Sequence, residues 1–262
     1  MPIKMQPARH SFGWKPDPKD IRDYKYKVRL PSRLLPDFID MRSQCSPVRD
    51  QGQLGSCTAF AMATGLREWM MWKYLGVEHT VLSPLFLYWQ ERFLEGTVFE
   101  DSGAYIRDGL KVLQEMGTCP EKDDPYDISR FTETPTPEMV QKALPYKIST
   151  YERVDTTSLA LRTALAQGDP VVMGMLVYSS FETQEVATTG KVPMPSRCPM
   201  TDKVLGGHAV FVVGYQNDPA WNGGGYFIVK NSWSDAWGDS GYFYLPFGFI
   251  SSYRTSDLWV AH

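Results

Sequence analysis

Cys57 follows Gly55-Ser56, His208 follows Gly206-Gly207, and Asn231 opens the segment Asn231-Ser232-Trp233. A thiol is a useful nucleophile only as thiolate, so it needs a neighbouring base, and that base needs a third group to hold its ring. Cys57, His208 and Asn231 supply those three roles, and together they read as a thiol hydrolase. A lone cysteine is more often buried and inert, but a Gly-Ser turn before it and a helix after it are an unusual setting for that. His10, His79 and His262 have no comparable surroundings. The Asn231 amide oxygen would accept the imidazole N–H, fixing the tautomer without adding negative charge, and Trp233 would shield that bond from water.

The elements around these residues follow from periodicity. Ala59, Phe60, Ala61, Met62, Leu66, Trp69, Met70 and Trp72 cover most of a helix circumference, which predicts a buried central helix that starts at Cys57 and stops near Gly76. Its positive end would favour a thiolate at Cys57. Ser83-Pro84 is a cap and first-turn pair for a second helix through Leu94, and Tyr105 to Met116, stopped by Gly117, makes a third. After Pro145 the pattern changes to short β-rich runs at 171–177, 209–215, 225–230 and 241–245, interrupted by one helix capped at Thr157 or Ser158 and ended by Gly168. His208 would stand at the start of the 209–215 strand, with small neighbours admitting substrate. Helices followed by strands make an α+β protein, and residues 1–35, Pro-rich and charged, read as an extended arm.

The order and spacing of Cys57, His208 and Asn231 resemble the papain-like cysteine peptidases. His208 lies 151 residues after Cys57 and Asn231 174 after it, slightly long against the ~130–150 of that signature, so insertions in the second half are expected. Pro36-Asp37-Phe38-Ile39-Asp40-Met41-Arg42 resembles the start of the mature enzymes, and the run from Asp235 to Gly241 resembles their Trp-Gly and Gly-Tyr segment. The resemblance implies a two-lobe fold, with residues 36–145 a mainly helical lobe carrying the nucleophile, 146–262 a β-barrel-like lobe carrying His and Asn, and the site in the cleft between. It also implies that Gln51, six residues before Cys57, holds the oxyanion together with the Cys57 N–H. For substrate it points to Gly103 and Ser102, whose segment would pair with peptide backbone, and to Gly207 and Trp233; Ala104, Tyr105 and Gly206 could line a side-chain pocket. Two positions depart from the family: Leu54 replaces the disulfide cysteine of secreted relatives, and Thr58 replaces the aromatic after the nucleophile.

The resemblance gives a cysteine endopeptidase, with residues 1–35 as a short blocking segment or as an arm packed on the back of the β lobe. Alternatives are an exopeptidase, isopeptidase or acyltransferase with the same chemistry, or a closed-cleft peptide-binding or chaperone-like protein. A net charge of −3 gives no reason to expect nucleic acid or an anionic membrane as partner. No run of about 18 apolar residues suggests a membrane span, and no h-region suggests a secretory signal. A cytoplasmic protein, or one exported without an ordinary signal, is expected, acting on polypeptides as a monomer. Cys45, Cys119 and Cys198 are an odd number, which excludes a disulfide scaffold but not one bridge. Metal and cofactor are not expected, because metal-binding spacings and phosphate loops are missing.

Overall fold

The computed structural model describes residues 10–27, 34–76, 80–196 and 200–262. The first nine residues of the arm, His79 and Cys198 lie outside them.

The arm contributes a two-residue strand, β1 (Trp14–Lys15), and β2 (Phe38–Asp40) follows it. The central helix then runs without a break from Cys57 to Leu75 in three parts: α1 (Cys57–Ala59), a π-helical stretch (Phe60–Arg67) and α2 (Glu68–Leu75). Gly76 ends it in a left-handed conformation that glycine adopts without a Cβ penalty. In the π stretch the Glu68 N–H reaches back five residues to the Ala63 carbonyl. Such bulges place one extra residue in a helix. Here Gly65 lies against Phe211, so close that a Cβ would sit 2.8 Å from the ring.

Three helices pack near the central one. In α3 (Pro84–Glu95) the Ser83 side chain accepts from the Phe86 N–H and Pro84 occupies the first turn. It is followed by β3 (Ala104–Tyr105), α4 (Ile106–Glu115) and α5 (Pro137–Ala143). The second half supplies β4 (Tyr151–Val154), α6 (Ser158–Ala166), β5 (Val171–Tyr178), α7 (Gln184–Thr189), β6 (Val204–Asn217), β7 (Gly225–Lys230), β8 (Tyr242–Pro246) and β9 (Thr255–Ala261). These strands form one antiparallel sheet in the order β4-β9-β5-β6-β7-β8, and β2 pairs with β6. The chain is an α+β protein, with helices gathered in its first half and an antiparallel sheet in its second.

The strand expected at 209–215 begins earlier, at Val204, so His208 stands inside β6, paired with Met175 of β5, and not at a strand start. The backbone ladder with β5 carries the strand through Gly206 and Gly207, two residues of poor β propensity. No helix among the described residues is long and apolar enough to cross a membrane.

Candidate active site

The first turn of the central helix faces β6, and the Ala209 N–H points at Cys57 Sγ at 3.4 Å. His208 precedes that amide and is fully buried. Its Nε2 lies 2.8 Å from Asn231 Oδ1, on the residue that follows β7. An amide oxygen only accepts, so Nε2 carries the hydrogen and Nδ1 carries the lone pair. His208 Nδ1 has no hydrogen-bond partner. The Trp233 indole stacks on His208 with ring centroids 4.9 Å apart, which excludes water from the His208–Asn231 bond.

Gln51 is also fully buried. Its backbone N–H donates to the Ser232 carbonyl, and the Ser232 hydroxyl donates to Gln51 Oε1 at 2.6 Å. The side-chain oxygen is thus turned towards Ser232 and Nε2 towards the cleft, where it donates to Leu54 O at 2.9 Å and to Ser11 O at 3.1 Å.

Ser11 belongs to the arm, which runs through the site. His10 stacks on Trp233 at 4.6 Å between centroids, and Phe12 sets its edge against both His208 and Trp233. Gly13 passes between the loop before the nucleophile and β3: its carbonyl accepts from the Ala104 N–H at 2.7 Å, and its own N–H faces Cys57 Sγ. A Cβ on Gly13 would lie 1.7 Å from the Gly55 oxygen, so only glycine passes there. Trp14 is buried over Gly174 and Gly207, with its indole N–H donating to Asp257 Oδ2 at 3.1 Å. Lys15 pairs with Glu95. Farther along, Tyr26 and Tyr24 exchange backbone hydrogen bonds with Arg153 of β4. The arm therefore occupies the cleft first and the edge of the sheet second.

Burial sets the charge state of this closed site. Loss of water pushes the Cys57 thiol up to about 11, against the downward pull of the Ala209 and Gly13 amides, and the buried Glu91 carboxyl adds to the rise. It pushes His208 down to about 4, with the Asn231 bond working the other way and His10 adding to the fall. Thiol and imidazole are both neutral while the arm is in place.

Of the residues expected to meet substrate, Gly103, Gly207 and Trp233 touch the arm. The Ser102 hydroxyl bonds to Thr97 Oγ1 and to the Gly103 carbonyl, beside left-handed Gly103. Ala104 contributes its N–H, Lys15 lies over the Tyr105 ring, and Gly206 packs on Phe12. Thr58, in the aromatic's place, donates to Glu91 Oε2 at 2.6 Å. Asp101 accepts from the Gly55 N–H at 3.0 Å. Tyr126, whose hydroxyl donates to the Gln51 carbonyl, and Asp257, which holds Trp14, are not legible as members of this site, since each reaches it from a distant part of the chain; Ser232 lies inside the Asn-Ser-Trp segment, but its bond to Gln51 is not legible there. Cys45, Cys57 and Cys119 are free thiols. Among the described residues no cluster of His, Cys, Asp or Glu could hold a metal ion.

The model of the papain family of cysteine proteases matches residues 35–253. The chain is similar to xylellain, a cysteine protease from Xylella fastidiosa, at 34% identity and a TM-score of 0.85, over 97% of each chain. It is 34% identical over 230 residues to a peptidase C1-like protein of Acanthamoeba polyphaga mimivirus, covering 82% of this chain and 73% of that one. A cathepsin B-like protein of Giardia intestinalis is 32% identical over 193 residues, 70% of this chain and 60% of its own length.

Proposed function

Since this chain belongs to the papain family of cysteine proteases, we propose that it is an endopeptidase whose N-terminal extension, residues 1–35, keeps it closed until displaced. It is a cysteine peptidase, a thiol hydrolase of polypeptides. In the proposed cycle the arm leaves, water enters, and the Cys57 proton passes to His208 Nδ1. Cys57 Sγ attacks the scissile carbonyl, and the oxyanion takes hydrogen bonds from the Cys57 N–H and from the Gln51 Nε2–H that Ser11 now occupies. The imidazolium gives its proton to the leaving amine as the C–N bond breaks, leaving a thioester. His208 then takes a proton from water, hydroxide adds to the thioester, and the acid product departs as the thiol is restored. Asn231 holds the ring throughout. Residues 36–145 act as the lobe carrying Cys57 and Gln51, and 146–262 as the lobe carrying His208 and Asn231.

One observation carries the reading: an extended segment, residues 10–15, lies along the groove on both sides of Cys57 Sγ. A groove that takes continuous chain on both sides of the nucleophile suits internal cleavage. The arm meets the sulfur with the Gly13 N–H, and the buried thiol stays protonated beside it.

Intact-mass labelling with an epoxide selective for such thiols tests the closure. Removing a buried tryptophan costs about 3–5 kcal/mol of packing. At 1.4 kcal/mol per tenfold, Trp14→Ala should label on the order of 100-fold faster than the parent, and Cys57→Ala should not label. Equal rates for parent and Trp14→Ala would end the blocking role. The same variant should cut a peptide blocked at both ends at an internal bond, and cleavage only of free-ended peptides would make it an exopeptidase.

A further inference from the structure

The loop that carries both oxyanion donors, residues 51–57, has its two ends bridged by one hydroxyl. Tyr126 Oη donates to the Gln51 carbonyl at 2.8 Å and lies 2.6 Å from Ser56 Oγ. A phenol has one proton to give. With that proton on the Gln51 carbonyl, the Ser56 hydroxyl must donate to Tyr126, so one oxygen joins the backbone of the residue bearing the side-chain donor to the residue just before the nucleophile. The Tyr126 ring is itself fixed, edge-on to Phe60 at 4.9 Å between centroids, and its N–H donates to Glu121 Oε1. Burial pushes its hydroxyl well above the usual phenol range, so it stays a neutral donor at any pH at which a peptidase works.

We propose that Tyr126 is a positioning residue for the oxyanion hole, setting the separation and aim of Gln51 Nε2 and the Cys57 N–H. It touches neither sulfur nor substrate. The loop's other restraints do different work: Asp101 holds the Gly55 N–H, and Ser232 turns the Gln51 amide without fixing its distance from Cys57. Among the described residues the Tyr126 hydroxyl alone spans the loop from one donor residue to the threshold of the other. The inference rests on the reading that Gln51 and the Cys57 amide meet the oxyanion.

The test compares the full-length protein with Tyr126→Phe, which keeps the ring, and with Gln51→Ala. Three readouts are taken: kcat and KM on a blocked peptide, inhibition by a peptide aldehyde, and alkylation of Cys57 by iodoacetamide. An aldehyde adds to the thiol to form a tetrahedral oxyanion, whereas alkylation forms none. Arm closure raises KM, inhibition constant and labelling time of the parent and Tyr126→Phe together and cancels in their ratio; Gln51→Ala also loses its bond to Ser11 of the arm, so its inhibition constant is first corrected by the change in its alkylation rate, which reads closure alone.

Tyr126→Phe should lower kcat by about 10- to 100-fold, less than the ~10²–10³ expected for loss of a whole donor in Gln51→Ala. KM should stay within about twofold, aldehyde inhibition should weaken by the same factor as kcat, and alkylation should be unchanged. Unchanged aldehyde inhibition in Tyr126→Phe beside a weakened one in Gln51→Ala overturns the role of Tyr126 alone. Unchanged inhibition in Gln51→Ala overturns the oxyanion reading beneath it. A parallel fall in alkylation and kcat would make Tyr126 merely structural. If Tyr126→Phe does not fold, Ser56→Ala removes the other end of the same bridge and must give the same pattern.

Discussion

Among the described residues the Asn231 amide oxygen bonds to the imidazole alone, and its Nδ2 has no hydrogen-bond partner. Its whole effect on turnover must therefore come from keeping His208 in the tautomer whose Nδ1 is basic. General acid–base catalysis by a positioned side chain contributes about 10²–10⁴-fold, and a freed ring still samples the right orientation. Asn231→Ala should lower kcat by roughly 10- to 100-fold with KM little changed in steady-state assays; a full loss of activity would mean that the residue does more than hold the ring. The motif residues were legible in the sequence because each announces itself locally: glycines before His208, a Gly-Ser turn before Cys57, an indole after Asn231. Tyr126 announces nothing, and Ser232, although inside the Asn-Ser-Trp segment, does not announce its partner. Their hydroxyls meet Gln51 across 75 and 181 residues of chain, and no local pattern encodes that meeting.

At the scale of elements, the central helix and β6 form the joint that brings the nucleophile to its base. Gly65, within the π stretch, packs there against Phe211 with no room for a side chain. Gly65→Ala would drive a methyl to 2.8 Å from the ring, and overpacking of this kind costs typically about 1–3 kcal/mol. Calorimetry should show a Tm lower by several degrees, together with slower labelling of Cys57 as the helix is pushed from Ala209. An unchanged Tm would mean that Phe211 simply turns aside. Helix periodicity found the central helix, but not its extra residue, because a π bulge shifts the apolar stripe by one position without interrupting it. The strands at 171–177, 225–230 and 241–245 were legible from their composition. β9 was not, although it lies between β4 and β5 in the sheet, because Thr255, Ser256 and Asp257 break the apolar alternation. Left-handed Asp257 is there for the arm, accepting from Trp14 Nε1 and from the Asp17 N–H.

At the scale of the whole molecule, the arm ties the two halves of the protein together through a charged cluster. Asp17 is buried among Arg153 of β4, the Arg107 N–H of α4 and the Trp259 indole of β9; Asp257 and Asp23 also bind Arg153, and Asp23 binds Arg107. Three carboxyls share two guanidinium groups. Burial first, and then the neighbouring Asp257 charge, raise Asp17 well above the usual carboxylate range, with the Arg107, Trp259 and Arg153 contacts opposing. The docked arm thus holds a proton that a released arm gives up. Docking stabilised in this way is fully present below the ordinary carboxylate range and is lost as pH rises towards the raised value. Labelling of the full-length protein should therefore accelerate from acid towards neutral pH by more than the thiol's own titration accounts for, and Asp17→Asn should remove that excess. An excess of the same size in the variant would locate the pH response elsewhere.

A blocking segment of the kind proposed for the arm, being part of the same chain as the cleft, cannot be diluted away. Residues 10–17 are joined to β2 by about twenty residues, and tethers of such length commonly hold a segment at a local concentration on the order of millimolar. Closure is then independent of how much protein a cell makes, and a substrate must outcompete a rival that is always present. One cut in the tether changes the molecularity of the problem: the arm becomes a free peptide, and at the concentration of the protein itself, far below millimolar, most of it leaves and does not return.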